Sequence, residues 1–137
     1  MSAVSTPTQI GYTIELALAF DEAIQLVTEE LQKEGFGILT QADMQAAFQN
    51  KLGKDFRRYT ILGACNPGLA YQALNKDLDV GLLLPCNVIV YESEQGATVS
   101  IVDPIAMLGV IDNPTLDDIA QDAKERLQRV YLRLLEN

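Results

Sequence analysis

The run Tyr59-Thr60-Ile61-Leu62-Gly63-Ala64-Cys65-Asn66-Pro67 changes its character within nine residues. Tyr59 to Cys65 is apolar on both alternating sets, which reads as an interior strand covered on both faces or lying at a subunit contact. Asn66-Pro67 then opens a helix, because Asn is a favoured N-cap and Pro a favoured first helical residue. Leu69, Ala70, Ala73 and Leu74 supply one apolar stripe before Asn75 to Asp79 breaks it.

Working upstream, Tyr12, Ile14, Leu16 and Leu18 alternate with Thr13, Glu15 and Ala17, the period of a strand with one buried face. Phe20, Ala23, Ile24, Val27 and Leu31 follow at helical spacing, with Asp21 and Glu22 in the first turn and Gly35 as a left-handed stop. Phe36 to Thr40 predicts a second strand. Met44, Ala47, Phe48 and Leu52 predict a short amphipathic helix capped by Asp43 and ended by Gly53.

Downstream, Val80 to Leu84 is short and apolar and is ended by Pro85. Val88 to Glu92 and Thr98 to Asp103 flank Ser93-Glu94-Gln95-Gly96, an antiparallel hairpin signal. The segment 103–114 reads as a loop, yet Ile105, Met107, Leu108, Val110 and Ile111 make it more apolar than a solvated connection, so it must cover something. Leu116, Ile119, Ala120, Ala123, Leu127, Val130 or Tyr131, and Leu134 then mark a long terminal helix. Its early Asp117, Asp118 and Asp122 and late Arg126, Arg129 and Arg133 suit the helix dipole. The order predicts one α+β domain over residues 11–137, after a disordered or extended segment 1–10.

The 137 residues are 48% hydrophobic and 21% charged, ordinary globular usage. A net charge of -9 repels phosphate backbones and anionic lipid headgroups, so neither nucleic acid nor membrane is an expected partner. No stretch approaches the ~18 to 20 apolar residues of a membrane-spanning helix. A cytoplasmic location is the default expectation, with export if a leader once preceded the Ser2 to Thr8 stretch. Two cysteines cannot build a disulfide framework, and the absence of histidine removes the usual general base and metal ligand together.

Cys65 and Cys86 are each read as ending a strand, each precede Asn, and each lie within one or two positions of Pro, so they are expected to converge at one rim of the sheet. As a functional pair they form a reactive dithiol, with Cys65 gaining thiolate character from the helix start at Asn66-Pro67; otherwise they are small buried hydrophobes. Lys51, Lys54, Arg57 and Arg58 gather four of the ten basic residues within eight positions, a clamp for carboxylate or phosphate or an ordinary solvated turn paired with Asp55. Met107 and Met44 are the soft ligands on offer for a metal or haem iron, with core filling as the alternative. No nucleotide-binding glycine loop is present.

The run at 59–67, followed by Gly81-Leu82-Leu83-Leu84-Pro85-Cys86-Asn87-Val88 and Val102-Asp103-Pro104, resembles the domain-of-unknown-function family 302. The resemblance extends from the strand around Tyr12, through Glu34-Gly35-Phe36-Gly37-Ile38-Leu39-Thr40, to the terminal helix. It implies a TBP-like fold, a curved antiparallel sheet backed by helices, and a homodimer. It implies no reaction. The DNA-binding use of that fold is rejected on charge, since a chain at -9 without a basic saddle lacks the necessary electrostatic attraction.

Three function classes follow. The leading one is a dimeric binding module for a small apolar or planar ligand with anionic arms, haem being the concrete candidate. Its expected site draws on Cys65, Asn66, Pro67, Cys86, Met107, Met44, Arg57 and Arg58, with Met107 as the metal ligand. The second is a thiol-based redox or sulfur-transfer protein using Cys65 and Cys86. The third is a structural dimer without chemistry.

Overall fold

The computed structural model describes residues 4–7 and 10–137. Of the expected N-terminal segment, Met1 to Ala3 and Thr8 to Gln9 lie outside the described residues, while Val4–Pro7 forms a strand, β1, paired antiparallel with the next strand. That next strand, β2 (Gly11–Leu16), buries Ile14 and Leu16 and exposes Glu15, as its period of two requires.

The remaining strands are β3 (Gly37–Asp43), β4 (Tyr59–Cys65), β5 (Cys86–Ser93) and β6 (Gly96–Val102). They complete a six-stranded sheet of order β1-β2-β6-β5-β4-β3. Every neighbouring pair is antiparallel. The expected α+β class, an antiparallel sheet backed by helices in one domain, is what the chain adopts. The hairpin closes at Ser93 opposite Gly96, whose φ of 147° suits glycine.

Helix α1 (Phe20–Lys33) and helix α5 (Asp117–Leu135) lie on one face of the sheet. Their residues Phe20, Ala23, Val27, Leu31, Leu127, Val130 and Leu134 join Ile14, Leu62, Val88, Val90, Val99 and Ile101 in the main core. A second core forms where α3 (Pro67–Lys76), α4 (Pro104–Leu108) and the start of α5 meet, around Leu69, Ala73, Val80, Leu108, Leu116, Ile119 and Ala123. Met107 packs against both cores.

Three segments differ from their sequence reading. The segment 103–114 is largely helical: Asp103 Oδ1 accepts from Ile105 N at 2.9 Å and caps α4, and Asn113 opens a 3-10 turn at Pro114–Leu116. Val80 to Leu83 belongs to a 3-10 turn, Leu78–Leu83, that buries Val80 alone and leaves Leu78 and Leu82 exposed, with Leu84 extended after it. Helix α2 (Met44–Leu52) starts and stops where expected, with Asp43 accepting from Ala46 N at 3.0 Å and Gly53 at φ 63°, but it buries no residue fully. It rests on the end of the sheet through ring contacts, so its apolar stripe has half a cover.

Strand β4 is covered on one face within the chain. Thr60, Leu62 and Ala64 are buried beneath the helices, whereas Tyr59 and Ile61 point to the opposite face and remain half-buried. Ile89 and Tyr91 share that open face by strand alternation, also half-buried. No helix among the described residues is long and apolar enough to cross a membrane.

Candidate functional site

The ends of β4 and β5 meet at the junction of the two cores. The register sets Ala64 opposite Cys86, so Cys65 and Cys86 stand one step apart on neighbouring strands, at the same rim. Close approach here depends on Gly63, since a Cβ at that position would strike Thr40 Oγ1 and Pro85 Cγ. Glycine lets β3 and Pro85, which follows a cis peptide bond, close over the strand.

Asn66 ties this rim to the helices. Its Oδ1 accepts from Leu69 N at 3.2 Å, capping α3, while its Nδ2 donates to the Glu34 carbonyl at 3.3 Å at the end of α1. Arg126 Nη1 of α5 donates to the same carbonyl at 3.1 Å. Both ends of the Asn66 amide are thus committed to positioning.

Cys65, Cys86 and Met107 line one cavity of about 30 Å³, with aliphatic walls that include Ala64, Leu69, Leu84, Leu108 and Ala123. Such a volume admits a water or two and lies far below the ~300 Å³ at which organic-ligand pockets begin. A porphyrin does not fit inside it. Of the apolar segment before the terminal helix, Pro104 and Leu108 fill the chain's own interior and Met107 lines one wall of the cavity, whereas Ile105 and Val110 stay exposed.

Burial governs the two thiols. Cys86 is 7% exposed, and burial, followed by the neighbouring Cys65, pushes its thiol up to about 11. Burial also raises Cys65 above the ordinary thiol value. Asn66, not Cys65, occupies the cap of α3. Both cysteines are unpaired.

The basic cluster splits in two. Arg58 turns to the helix side, pairing with Asp21 Oδ1 at 2.7 Å and lying 4.3 Å over the Phe20 ring. Arg57, its neighbour in an extended segment, turns to the open face, 5.7 Å from the Tyr91 ring centroid, and donates to the Glu92 carbonyl at 3.2 Å. Beneath it Tyr59 and Tyr91, opposite one another in register, stack with centroids 5.5 Å apart and planes 4° from parallel. Phe56 and Phe48 continue the chain of rings, at 6.1 Å from Tyr59 to Phe56 and 5.1 Å from Phe56 to Phe48. Met44 sits one helical turn before Phe48 on α2, and so belongs to this corner and not to the cavity.

The expected site residues thus fall into two groups. Cys65, Asn66, Cys86 and Met107 gather at the cavity, whereas Met44 and Arg57 lie at the ring-lined corner of the open face. Pro67 is the exposed first residue of α3 and lines neither, and Arg58 is held by Asp21. The chain of four contacting rings escaped the sequence reading. Only the strand register, setting Tyr59 against Tyr91, could have found them.

Comparison with curated proteins yields no match. The crystal structure of an uncharacterized conserved protein DUF302 from Bacillus stearothermophilus superposes with a TM-score of 0.81 at 33% sequence identity, covering 94% of this chain and 98% of that one. The family model described as domain of unknown function DUF302 matches residues 12–134, a span that holds both groups of candidate residues, and the chain belongs to that family.

Proposed function

We propose that this domain is a self-associating binding module in which a second copy covers the open face of the sheet. The observation that carries the reading is the composition of that face. Tyr59, Ile61, Ile89 and Tyr91 form an apolar and aromatic patch on the side away from α1 and α5. Partly exposed apolar side chains clustered on one sheet face favour removal from water at roughly 25 cal/mol per Å². A ligand suited to such a dimer is planar and anionic and lies at the rim, where rings offer stacking surface and Arg57 a guanidinium. Haem is the concrete planar dianion to test, with Met44 as the thioether on that side.

Light scattering across micromolar concentrations tests the association, with twice the chain mass expected. Ile89→Lys should give a monomer with an unchanged circular dichroism spectrum. A wild-type chain that stays monomeric throughout would remove the proposal. For the ligand, haemin titration should develop a Soret band that Tyr91→Leu weakens; a spectrum identical to free haemin would end the haem reading and leave the dimer standing.

A further inference from the structure

We infer that the stacked pair Tyr59 and Tyr91 is an oxidative modification site, at which a one-electron oxidant joins the two rings by a dityrosine bond within one chain. Strand register supplies the geometry. Tyr59 stands directly opposite Tyr91 on β4 and β5, and both project from the half-buried open face. Their ring centroids lie 5.5 Å apart, with planes 4° from parallel. Rings in direct face-to-face contact would sit about 3.5 to 4 Å apart, so these two are offset, and their facing edges stand nearer than their centres. Each long edge of a phenol carries one carbon ortho to the hydroxyl, Cε, where a tyrosyl radical places much of its spin. Opposite residues leave the sheet on the same side, which sets Cε beside Cε.

The rest of the chain directs oxidation to this pair. There is no Trp, whose indole would compete as an electron donor, and there are five tyrosines. Tyr71 stands exposed on α3. Tyr12 and Tyr131 form a second ring contact with centroids 5.3 Å apart, but their planes are tilted by 48°. One belongs to β2 and the other to α5, so helix packing sets their approach, without the side-by-side alignment that a strand register imposes. On the open face Tyr59 and Tyr91 have room to turn about their own side-chain bonds into the new linkage.

The step balances within the pair and the oxidant. Each phenol gives one electron to the oxidant and its hydroxyl proton to solvent. The two radicals combine to form one Cε–Cε bond, and each joined carbon loses its hydrogen as a proton while each oxygen takes one up. Two electrons and two protons leave in all, and two equivalents of a one-electron oxidant, a peroxide-activated haem or a photo-oxidised metal complex, are reduced. Burial, followed by the neighbouring Tyr91, holds the Tyr59 hydroxyl above its ordinary pKa, so at neutral pH its proton leaves with the electron. Both residues belong to one chain, so the bond does not depend on self-association.

The test is brief illumination of the full chain with tris(bipyridine)ruthenium and persulfate. The product should run as a single chain on a denaturing gel, weigh two hydrogens less, fluoresce in the blue as dityrosine does, and yield a digest peptide linking positions 59 and 91. Tyr59→Phe and Tyr91→Phe, which keep the rings and remove one hydroxyl, should each lower the single-chain fluorescence about tenfold or more, whereas Tyr12→Phe should leave it unchanged. Circular dichroism confirms that each variant is folded. Absence of dityrosine, linkage found only between chains, or single-chain fluorescence that survives Tyr91→Phe or disappears in Tyr12→Phe would overturn the inference.

Discussion

Arg133 Nε lies 2.6 Å from Glu30 Oε1, joining α5 to α1 across 103 positions of sequence. The Glu30 carboxylate is buried, and Lys33 Nζ holds its other oxygen at 2.6 Å. Arg133 Nη1 also reaches Glu34 Oε2 at 3.0 Å, so one guanidinium clamps two carboxylates near the C-terminal end of α1. The hydrogen bond from Lys33 is the largest influence lowering the Glu30 pKa, against the cost of burial, with Arg133 adding to it. Hydrogen bonding from Arg129, then from Arg133, lowers Glu34 in the same way.

A carboxylate depressed on folding contributes stability that is present above its unfolded pKa and disappears as pH falls through the folded one. Chemical denaturation midpoints should therefore be level near neutrality and fall once pH drops below the ordinary glutamate value. Arg133→Met should cost about 2 to 3 kcal/mol, less than a fully buried pair because the guanidinium is 29% exposed, and should flatten that acid slope. An acid slope unchanged in Arg133→Met would contradict the assignment.

Gly63 sits where a Cβ would run into Thr40 Oγ1 and Pro85 Cγ. Gly63→Ala should destabilise by about 1 to 3 kcal/mol through overpacking. Adding Thr40→Ala should recover part of that loss, and the recovery, read from thermal melts, separates steric pressure from any effect of the unfolded chain.

Leu108 is a plug residue on α4, buried in the second core with Ile119 and Ala123. Leu108→Ala should lower stability by about 2 to 4 kcal/mol, whereas the same change at exposed Val110 should stay within about 0.5 kcal/mol. Equal effects at the two positions would mean that α4 does not close the cavity.

Raised thiol pKa values make the cysteines slow nucleophiles at neutral pH. Alkylation of the native protein at pH 7 should leave Cys86 unlabelled and Cys65 slow, with both reacting fast after denaturation; rates should climb as pH rises towards about 11 for Cys86. Rapid labelling of Cys65 well below pH 8 would bring the thiol-redox function back into contention.

Much of the architecture was legible because local signals carried it. The alternation from Tyr12, the helical spacing from Phe20, the Asp43 and Asn66 caps and the turn at Gly96 each appear where their chemistry places them. The helical content of 103–114 was legible too, in principle. Asp103-Pro104 and Asn113-Pro114 repeat the cap-then-proline pattern of Asn66-Pro67, and all three dipeptides open helical turns. Their apolar content drew attention to what the segment covers and away from how it starts.

For the site, the sequence alone determined which residues could matter: two thiols at strand ends, a methionine in an apolar segment, and arginines after a short helix. Local patterning suffices there, since strand period and helix capping act over a few residues. Only the tertiary structure decided the partnerships. It brought Met107 to the cysteines, sent Met44 and Arg57 to the opposite face, tied Arg58 to Asp21, and shrank the cavity to about 30 Å³. Those outcomes depend on strand register and on how helices far apart in sequence pack, and burial, which raises both thiols, is a property of the assembled core that no short stretch encodes.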